Sequence, residues 1–571
     1  MLIGLLLVGT LFLALRLPGI HLPYHQDEWK NISASASVAT AGQFFAHPPF
    51  MQMLFVAGHE FFGADYFRAF PLLFSIGAGF LLFAVVKRRA GEAAAWWSAL
   101  LFTVCFYNIF GSLQADVDGA ILPFVFLLAV YFYDRYVAAA EAASRRKWLG
   151  ILIAVSLAGL LIKLSFILVI GALLLDYLWT YRRDMLAKRT AMAAGGSIGF
   201  GAVYIAALYL IHAVYPAFDI NFMIGHANQF AGANGRNWTQ IFVQAVKAVY
   251  YLSPLLIVPL VFISKDIVRR TRPFILYIAL GFVFYFVLFD FSQGALDKYL
   301  MFSIVPLAAL AGIVIAEIFK GLRFPESREN DGEPRTFPVV AIITGLVIAV
   351  TLVSLNFLPQ TVAALYPKTE WFSKVLHGHW NVLTPLTGGS GPLGFYISFL
   401  FIAVSFIVSI ALAAAAMAKK QWRVPFMVAI VIIGLTYNTV FSEELLLGKL
   451  NGSSADVMHR TVAFISKTPS VTPVLSYNDI GSHELSVIGK YGGRFYATPD
   501  FEEGHKKKFA DYRYYMVIDI PHLYEDGFYG RFFATCTPLF NAFSGRITGR
   551  VYDCPATTTQ ATAAATVPAA K

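Results

Sequence analysis

The chain has 571 residues, 58% of them hydrophobic and 14% charged, with a mean hydropathy of +0.63 and a formal net charge of +10. Soluble domains carry about 25% charged residues, so this sequence has too little polar surface to wrap a water-facing globule, and the soluble classes are excluded. Three cysteines leave no room for a cysteine-rich metal scaffold. The apolar residues fall in blocks of roughly 18 to 24, the length that crosses a hydrocarbon layer of about 30 Å. The blocks predict spans over 2–20, 69–86, 93–110, 120–138, 149–162, 164–181, 191–212, 243–263, 274–290, 299–318, 337–357, 393–416 and 424–442. The expected fold class is mainly α, a polytopic membrane protein of about thirteen transmembrane helices with a C-terminal α/β soluble domain on the outer, periplasmic side. Residues 2–20 read as the first true span: no basic stretch precedes them, and Leu17-Pro18-Gly19-Ile20 offers no small-residue cleavage site.

Basic residues alternate between loops. One set holds Lys87, Arg88, Arg89, Arg145, Arg146, Lys147, Arg182, Arg183, Lys188, Arg189, Lys265, Arg269, Arg270, Arg272, Lys320, Arg323, Arg328, Arg335, Lys419, Lys420 and Arg423; the other holds Lys30, Arg68, Lys163, Arg236, Lys298, Lys368 and Lys374. The ratio of 21 to 7 places the first set in the cytoplasm by the positive-inside rule. The N-terminus is then cytoplasmic and the C-terminus outside. Much of the net charge is an orientation signal, which removes the need for a nucleic-acid partner. A transmembrane domain is expected over 1–442, with outer loops 21–68, 111–119, 213–242, 291–298 and 358–392.

After residue 442 the polarity becomes mixed, with β-rich runs at Val474–Tyr477 and Tyr514–Ile518, and a soluble α/β domain is expected over 443–556. Its Cys536 and Cys554, 18 positions apart, are disulfide candidates on the oxidising side of the membrane, the alternative being two buried free thiols. Residues 557–571 are mostly Ala and Thr without periodicity and read as a disordered tail.

A charge at the centre of a span costs about 2.5–3.5 kcal/mol by insertion scales, so chemistry is sought where polar groups are retained. His25-Gln26-Asp27-Glu28-Trp29-Lys30 puts two adjacent carboxylates after the first span, and Gln114-Ala115-Asp116-Val117-Asp118-Gly119 forms the short connection before the fourth. Capping of the following helix is the plain alternative for Asp118. Cations lie at the same level: Lys163 between two apolar runs, read as a tight outer hairpin; Lys298 with Tyr299 after Asp290 and Asp297; and His47 before Pro48-Pro49. Snorkelling is the alternative for Lys163, and a simple loop residue for His47. Carboxylates beside cations suit one reaction. A carboxylate takes the proton from an attacking hydroxyl while cations stabilise a departing phosphate. His377 and His379, in the long outer loop, are not read as a metal site.

The first-loop Asp27-Glu28 pair, the His47-Pro48-Pro49 bend, the acidic loop before the fourth span, Lys163 at its hairpin and Lys298-Tyr299 before a Pro-containing span together resemble the C-type glycosyltransferases. Within them the sequence resembles the branch of protein O-mannosyltransferases and the lipid A aminoarabinose transferase. That resemblance implies a hexosyl- or pentosyltransferase of the bacterial inner membrane, moving a sugar from a polyprenyl-phosphate donor to an outer-face acceptor with inversion. It implies Asp27 as general base or key acidic group with Glu28 beside it as an orienting or metal-holding group. His47, Lys163, Lys298 and Tyr299 would hold the donor phosphate, although relatives often carry Arg where Lys298 stands. The second acid is either Asp118 or Asp116. An envelope glycolipid such as lipid A or lipopolysaccharide core is the expected acceptor, and a protein acceptor with the same donor is the alternative. No cofactor is required, and a divalent metal at the acidic pairs stays open. Readings of another class are a lipid or sugar flippase, which would place ionisable groups near the bilayer midplane, and a membrane scaffold without catalysis, which would keep Asp27, Asp118 and Lys163 far apart.

Overall fold

The computed structural model describes residues 2–36, 47–181, 188–229, 238–289, 296–320, 339–365, 369–386, 393–497, 504–505, 509 and 511–554. The expected tail lies outside the described residues, as do Arg182, Arg183, Arg236, Asp290, Arg323, Arg328, Arg335 and Lys368; of Lys188, Arg189 and Asp297 only the backbone is described. The chain divides into two compact units, one of Met1–His21, Lys30–Leu346 and Val408–Asn438, the other of Leu22–Trp29, Val347–Ile407 and Thr439–Lys571.

Among the described residues, eight helices are long and apolar enough to cross a membrane, or nine with the bent pair Glu92–Val104 and Phe106–Ser112 taken as one span. Within the first unit the helix Ile304–Phe319 is central: every residue from Ile304 to Ala316 is buried. It packs closely on Glu92–Val104. A Cβ on Gly312 would stand 2.5 Å from the Ser98 nitrogen, so this crossing depends on the absence of a side chain, the usual device for close helix approach in lipid. The expected span 93–110 is interrupted at Cys105, where the axis bends by 65°. No Pro or Gly marks the bend. The backbone groups it frees are taken up by side chains from elsewhere, which is how a broken helix is tolerated in an apolar surrounding.

The second unit is built on a five-stranded sheet of β3 (Val474–Tyr477), β4 (Tyr491–Phe495), β5 (Tyr514–Ile518), β6 (Thr537–Ser544) and β7 (Ile547–Asp553), in the order β4-β3-β5-β7-β6. β3 pairs parallel with β4 and β5, and the remaining pairs are antiparallel. One face packs on the helix Ser454–Lys467 through Val457, Met458, Val474, Met516 and Val551. That cluster also takes in Leu383, Leu393 and Tyr396, which lie on and beside the two-stranded antiparallel pair β1 (Leu383–Leu386) and β2 (Phe395–Ser398). The chain between the spans ending near 357 and starting near 399 thus shares its core with the residues after 442, because its apolar residues bury there. The opposite face is aromatic, with Phe495, Phe509, Tyr515, Tyr529 and Phe533.

Cys536 and Cys554 form a disulfide against this aromatic face. With the two cysteines 18 positions apart, the closed loop is worth about 3 kcal/mol in the chain-entropy model. Cys554→Ser is expected to lower the thermal midpoint of this unit by several degrees, and an unchanged melting profile by tryptophan fluorescence would show that the bridge adds nothing.

Candidate active site

The acidic loop 113–118 is held by groups around the bend that precedes it. Arg16, from the first apolar helix, is completely buried. Its Nη1 donates to the Thr103 carbonyl at 3.1 Å, on one half of the broken span, and its Nε donates to Ser112 Oγ at 2.7 Å on the other. Its guanidinium also sits 3.6 Å from the centroid of the Phe12 ring. Arg68 donates to the Leu113 carbonyl, and Asn31 Nδ2 donates to that of Ala115 at 3.0 Å. The loop closes where two glycines meet: a Cβ on Gly119 would stand 2.1 Å from the Gly111 carbonyl oxygen. Gly119→Ala is expected to spread the loop and reduce activity at least tenfold at equal protein level. Activity within twofold of the parent would mean the loop tolerates the added methyl.

The two aspartates of the loop each meet a lysine. Lys163 Nζ donates to Asp118 Oδ1 at 2.7 Å and to Oδ2 at 2.5 Å. Lys298 Nζ donates to Asp116 Oδ2 at 3.2 Å, while Oδ1 of the same carboxylate accepts from the Val117 N–H at 2.6 Å. The capping alternative for Asp118 does not occur: Ala120 is the N-cap of Ile121–Ala138, and no side chain bonds there. Lys163 lies at the end of the helix Ala142–Ile162 in extended conformation, between it and the turn Leu164–Phe166. The hairpin is tight because Gly159 lets the Phe166 ring lie against its backbone. Lys298 comes from the short helix Leu296–Tyr299. Both ammonium groups stand over the Tyr299 ring, 4.9 and 5.0 Å from its centroid.

His47 faces this cluster, and its ring centre is 5.9 Å from that of His226, a residue the sequence did not single out. Burial, then the Lys163 charge, pushes the His47 imidazole down to about 3, with Asp116 opposing. His47 is therefore a neutral hydrogen-bonding group at physiological pH. Burial also raises the Asp118 carboxyl above its usual range, with Lys163 pulling the other way. Next to Asp118 lies a pocket walled by Phe126, Ser165, Tyr277, Tyr285 and Phe302. The cluster as a whole carries two ammonium groups balanced by two carboxylates over an aromatic ring.

Asp27 and Glu28 belong to the second unit. Asp27 opens the helix Asp27–Ser35 after Gln26, whose φ is 45°. Glu28 is buried and closes its own turn: its N–H donates to the His25 carbonyl at 3.0 Å, and its Oε2 accepts from the His25 N–H at 3.3 Å. The segment is docked on the turn after β3, on the helix Ser482–Val487 and on β4. The His25 ring is 2.9 Å from the Asn478 carbonyl oxygen, the Tyr24 and His483 rings are 5.2 Å apart, and the Trp29 and Tyr491 rings 5.7 Å. Asp116, Asp118, His47, Lys163, Lys298 and Tyr299 thus assemble in one unit, and Asp27 with Glu28 stands in the other. Among the described residues no three His, Cys, Asp or Glu side chains converge to hold a metal ion, His377 and His379 included.

Residues 46–209 match the model of the family described as dolichyl-phosphate-mannose-protein mannosyltransferase, a stretch that contains His47, Asp116, Asp118 and Lys163. Over nearly the whole length the fold is similar to that of ArnT from Cupriavidus metallidurans. The structure of that protein bound to undecaprenyl phosphate superposes with a TM-score of 0.54 at 17% identity, covering 96% of this chain and 97% of that one. This chain resembles the mannosyltransferase and ArnT branch of membrane glycosyltransferases. The apo form of ArnT gives the same TM-score of 0.54 and the same coverage at 16% identity, so the likeness of fold holds for both forms. No curated protein matches the sequence closely enough to count as a relative.

Proposed function

We propose that the protein is an inner-membrane glycosyltransferase that moves a sugar, with inversion, from a polyprenyl-phosphate carrier to an acceptor on the periplasmic face. The observation that carries the reading is the pairing of Lys163 with Asp118 and of Lys298 with Asp116 over the Tyr299 ring. Such cations can neutralise a phosphate that gains charge as the sugar leaves. Asp27 is the base that takes the proton of the attacking group, and Glu28 holds the turn from which Asp27 projects. The undecaprenyl phosphate bound to ArnT supports the donor class.

The membrane arrangement follows the same reading. Three shorter apolar helices, Ile3–Gly19, Leu164–Thr180 and Arg272–Leu288, join the eight long ones and the bent pair. Ala142–Ile162, whose first turns hold Arg145, Arg146 and Lys147, brings the number of spans to thirteen. An odd number puts the termini on opposite sides, the N-terminus in the cytoplasm by the charge rule and the sheet-bearing domain over 443–556 in the periplasm.

An envelope glycolipid is the proposed acceptor. The test is to supply membranes containing the protein with radiolabelled polyprenyl-phosphate sugars and to follow where the label goes. Label in extracted glycolipid supports the proposal, label in protein moves the acceptor to the protein class, and label that stays on the carrier with every sugar supplied would sink it.

A further inference from the structure

We infer that Asn438 is a positioning residue that joins the acidic and the cationic halves of the candidate site, an inference that rests on the function proposed above. Asn438 is buried in the helix Arg423–Leu446 and its side chain is fully bonded. Its Oδ1 accepts from the Phe106 N–H at 2.7 Å, and its Nδ2 donates to Ser253 Oγ at 3.0 Å and to the Gly434 carbonyl at 2.6 Å.

Both of the distant partners are places where a helix is broken. Phe106 is the first residue of the second half of the bent span, and Cys105, its N-cap residue, makes no side-chain cap hydrogen bond. An uncapped N–H in an apolar surrounding costs free energy comparable to a lost hydrogen bond, and Asn438 supplies the acceptor from another helix. Ser253 sits inside Trp238–Ile257 with φ 64° and ψ 162°, immediately before Pro254. A buried non-glycine residue in that region is strained and persists only where the surroundings over-determine it. Here Asn438 bonds its hydroxyl, which also accepts from the Leu255 N–H at 3.3 Å.

The two breaks lead to opposite halves of the cluster. Phe106–Ser112 runs directly into the loop of Asp116 and Asp118. Trp238–Ile257 packs on Leu296–Tyr299, which carries Lys298 and Tyr299. Tyr251, two residues before Ser253, also lies on the first half-site's helix, its ring 5.7 Å from that of Phe106 and 5.2 Å from that of Tyr107. Apolar contacts of this kind permit sliding along the helix, whereas a side-chain amide bonded to both breaks fixes their register. The Asp116–Lys298 separation of 3.2 Å is the distance that this register sets.

The test uses the full-length protein in membranes and measures KM for the polyprenyl-phosphate sugar and kcat separately, at matched amounts of folded protein. Asn438→Leu removes all three bonds at similar volume and is expected to raise KM about tenfold with kcat changed less than threefold; contacting groups couple by about two- to a hundredfold. Ser253→Ala leaves the Phe106 bond in place and is expected to raise KM less, which keeps the test open if the first variant does not fold. In a Lys298→Met background neither substitution should raise KM further, because the register no longer has a cation to place. A lower melting temperature with unchanged KM would overturn the inference and leave Asn438 as a brace, and so would the same tenfold rise in the Lys298→Met background. Absence of transfer by the unsubstituted protein would instead overturn the proposed function, and the inference with it.

Discussion

Asp27→Asn is expected to lower the transfer rate by roughly 10²- to 10⁴-fold, the range that a positioned general base contributes, in protein that remains folded. The substitution is nearly isosteric, and removing one carboxylate from the first turn of the helix Asp27–Ser35 costs only about 0.3–1 kcal/mol, so the turn Tyr24–Glu28 and the helix have no reason to unravel. Glu28 is the internal control. Its carboxylate is committed to the His25 N–H, and Gln in its place retains a carbonyl acceptor there, so Glu28→Gln should leave most of the rate. The two variants are compared by label transfer at saturating donor, with the thermal midpoint of each recorded. Full activity in Asp27→Asn together with loss in Glu28→Gln would transfer the role of base to Glu28.

What the sequence made legible follows the cost of charge in an apolar chain. Asp116, Asp118, Lys163 and Lys298 stood out because each interrupts or borders a long apolar block, where an ionised group is retained only against a penalty. The pairing between them was not legible, since it depends on a hairpin at Lys163 and a four-residue helix at Lys298 that bring positions 45 and 182 residues distant onto one loop. Arg16 carries the same signal, a lone cation inside the first apolar block. Its role at the bend belongs to the tertiary structure: nothing in Thr103-Val104-Cys105-Phe106 announces a 65° break, because the partners that stabilise it come from positions 16 and 438. Neutral polar residues such as Asn438 and Ser253 give no hydropathy signal at all, and His226 sits in an ordinary amphipathic helix, Ile220–Gln229. In the second unit the runs Val474–Tyr477 and Tyr514–Ile518 are β3 and β5. The capture of β1 and β2 into that core was hidden because a two-stranded pair of four-residue strands leaves no periodicity to read.

The Lys163–Asp118 pair separates stability from chemistry. Their side chains are 10% and 6% exposed, so either Lys163→Met or Asp118→Asn leaves one buried group without its partner, an expected loss of about 3–5 kcal/mol for breaking a buried pair from one side. The double variant Lys163→Met/Asp118→Asn carries no unpaired charge. It should recover most of that stability, since neutral replacements of a buried ion pair are often tolerated. Under the proposed function transfer activity should not recover with it, because the variant lacks the ammonium assigned there to the donor phosphate. Thermal melts and label transfer on the same four membrane preparations read both quantities. A double variant that is both stable and active would mean that Lys163 serves only to neutralise Asp118, and the donor phosphate would then be left to Lys298. A single variant as stable as the parent would mean that the pair is solvated and that neither group bears a desolvation penalty.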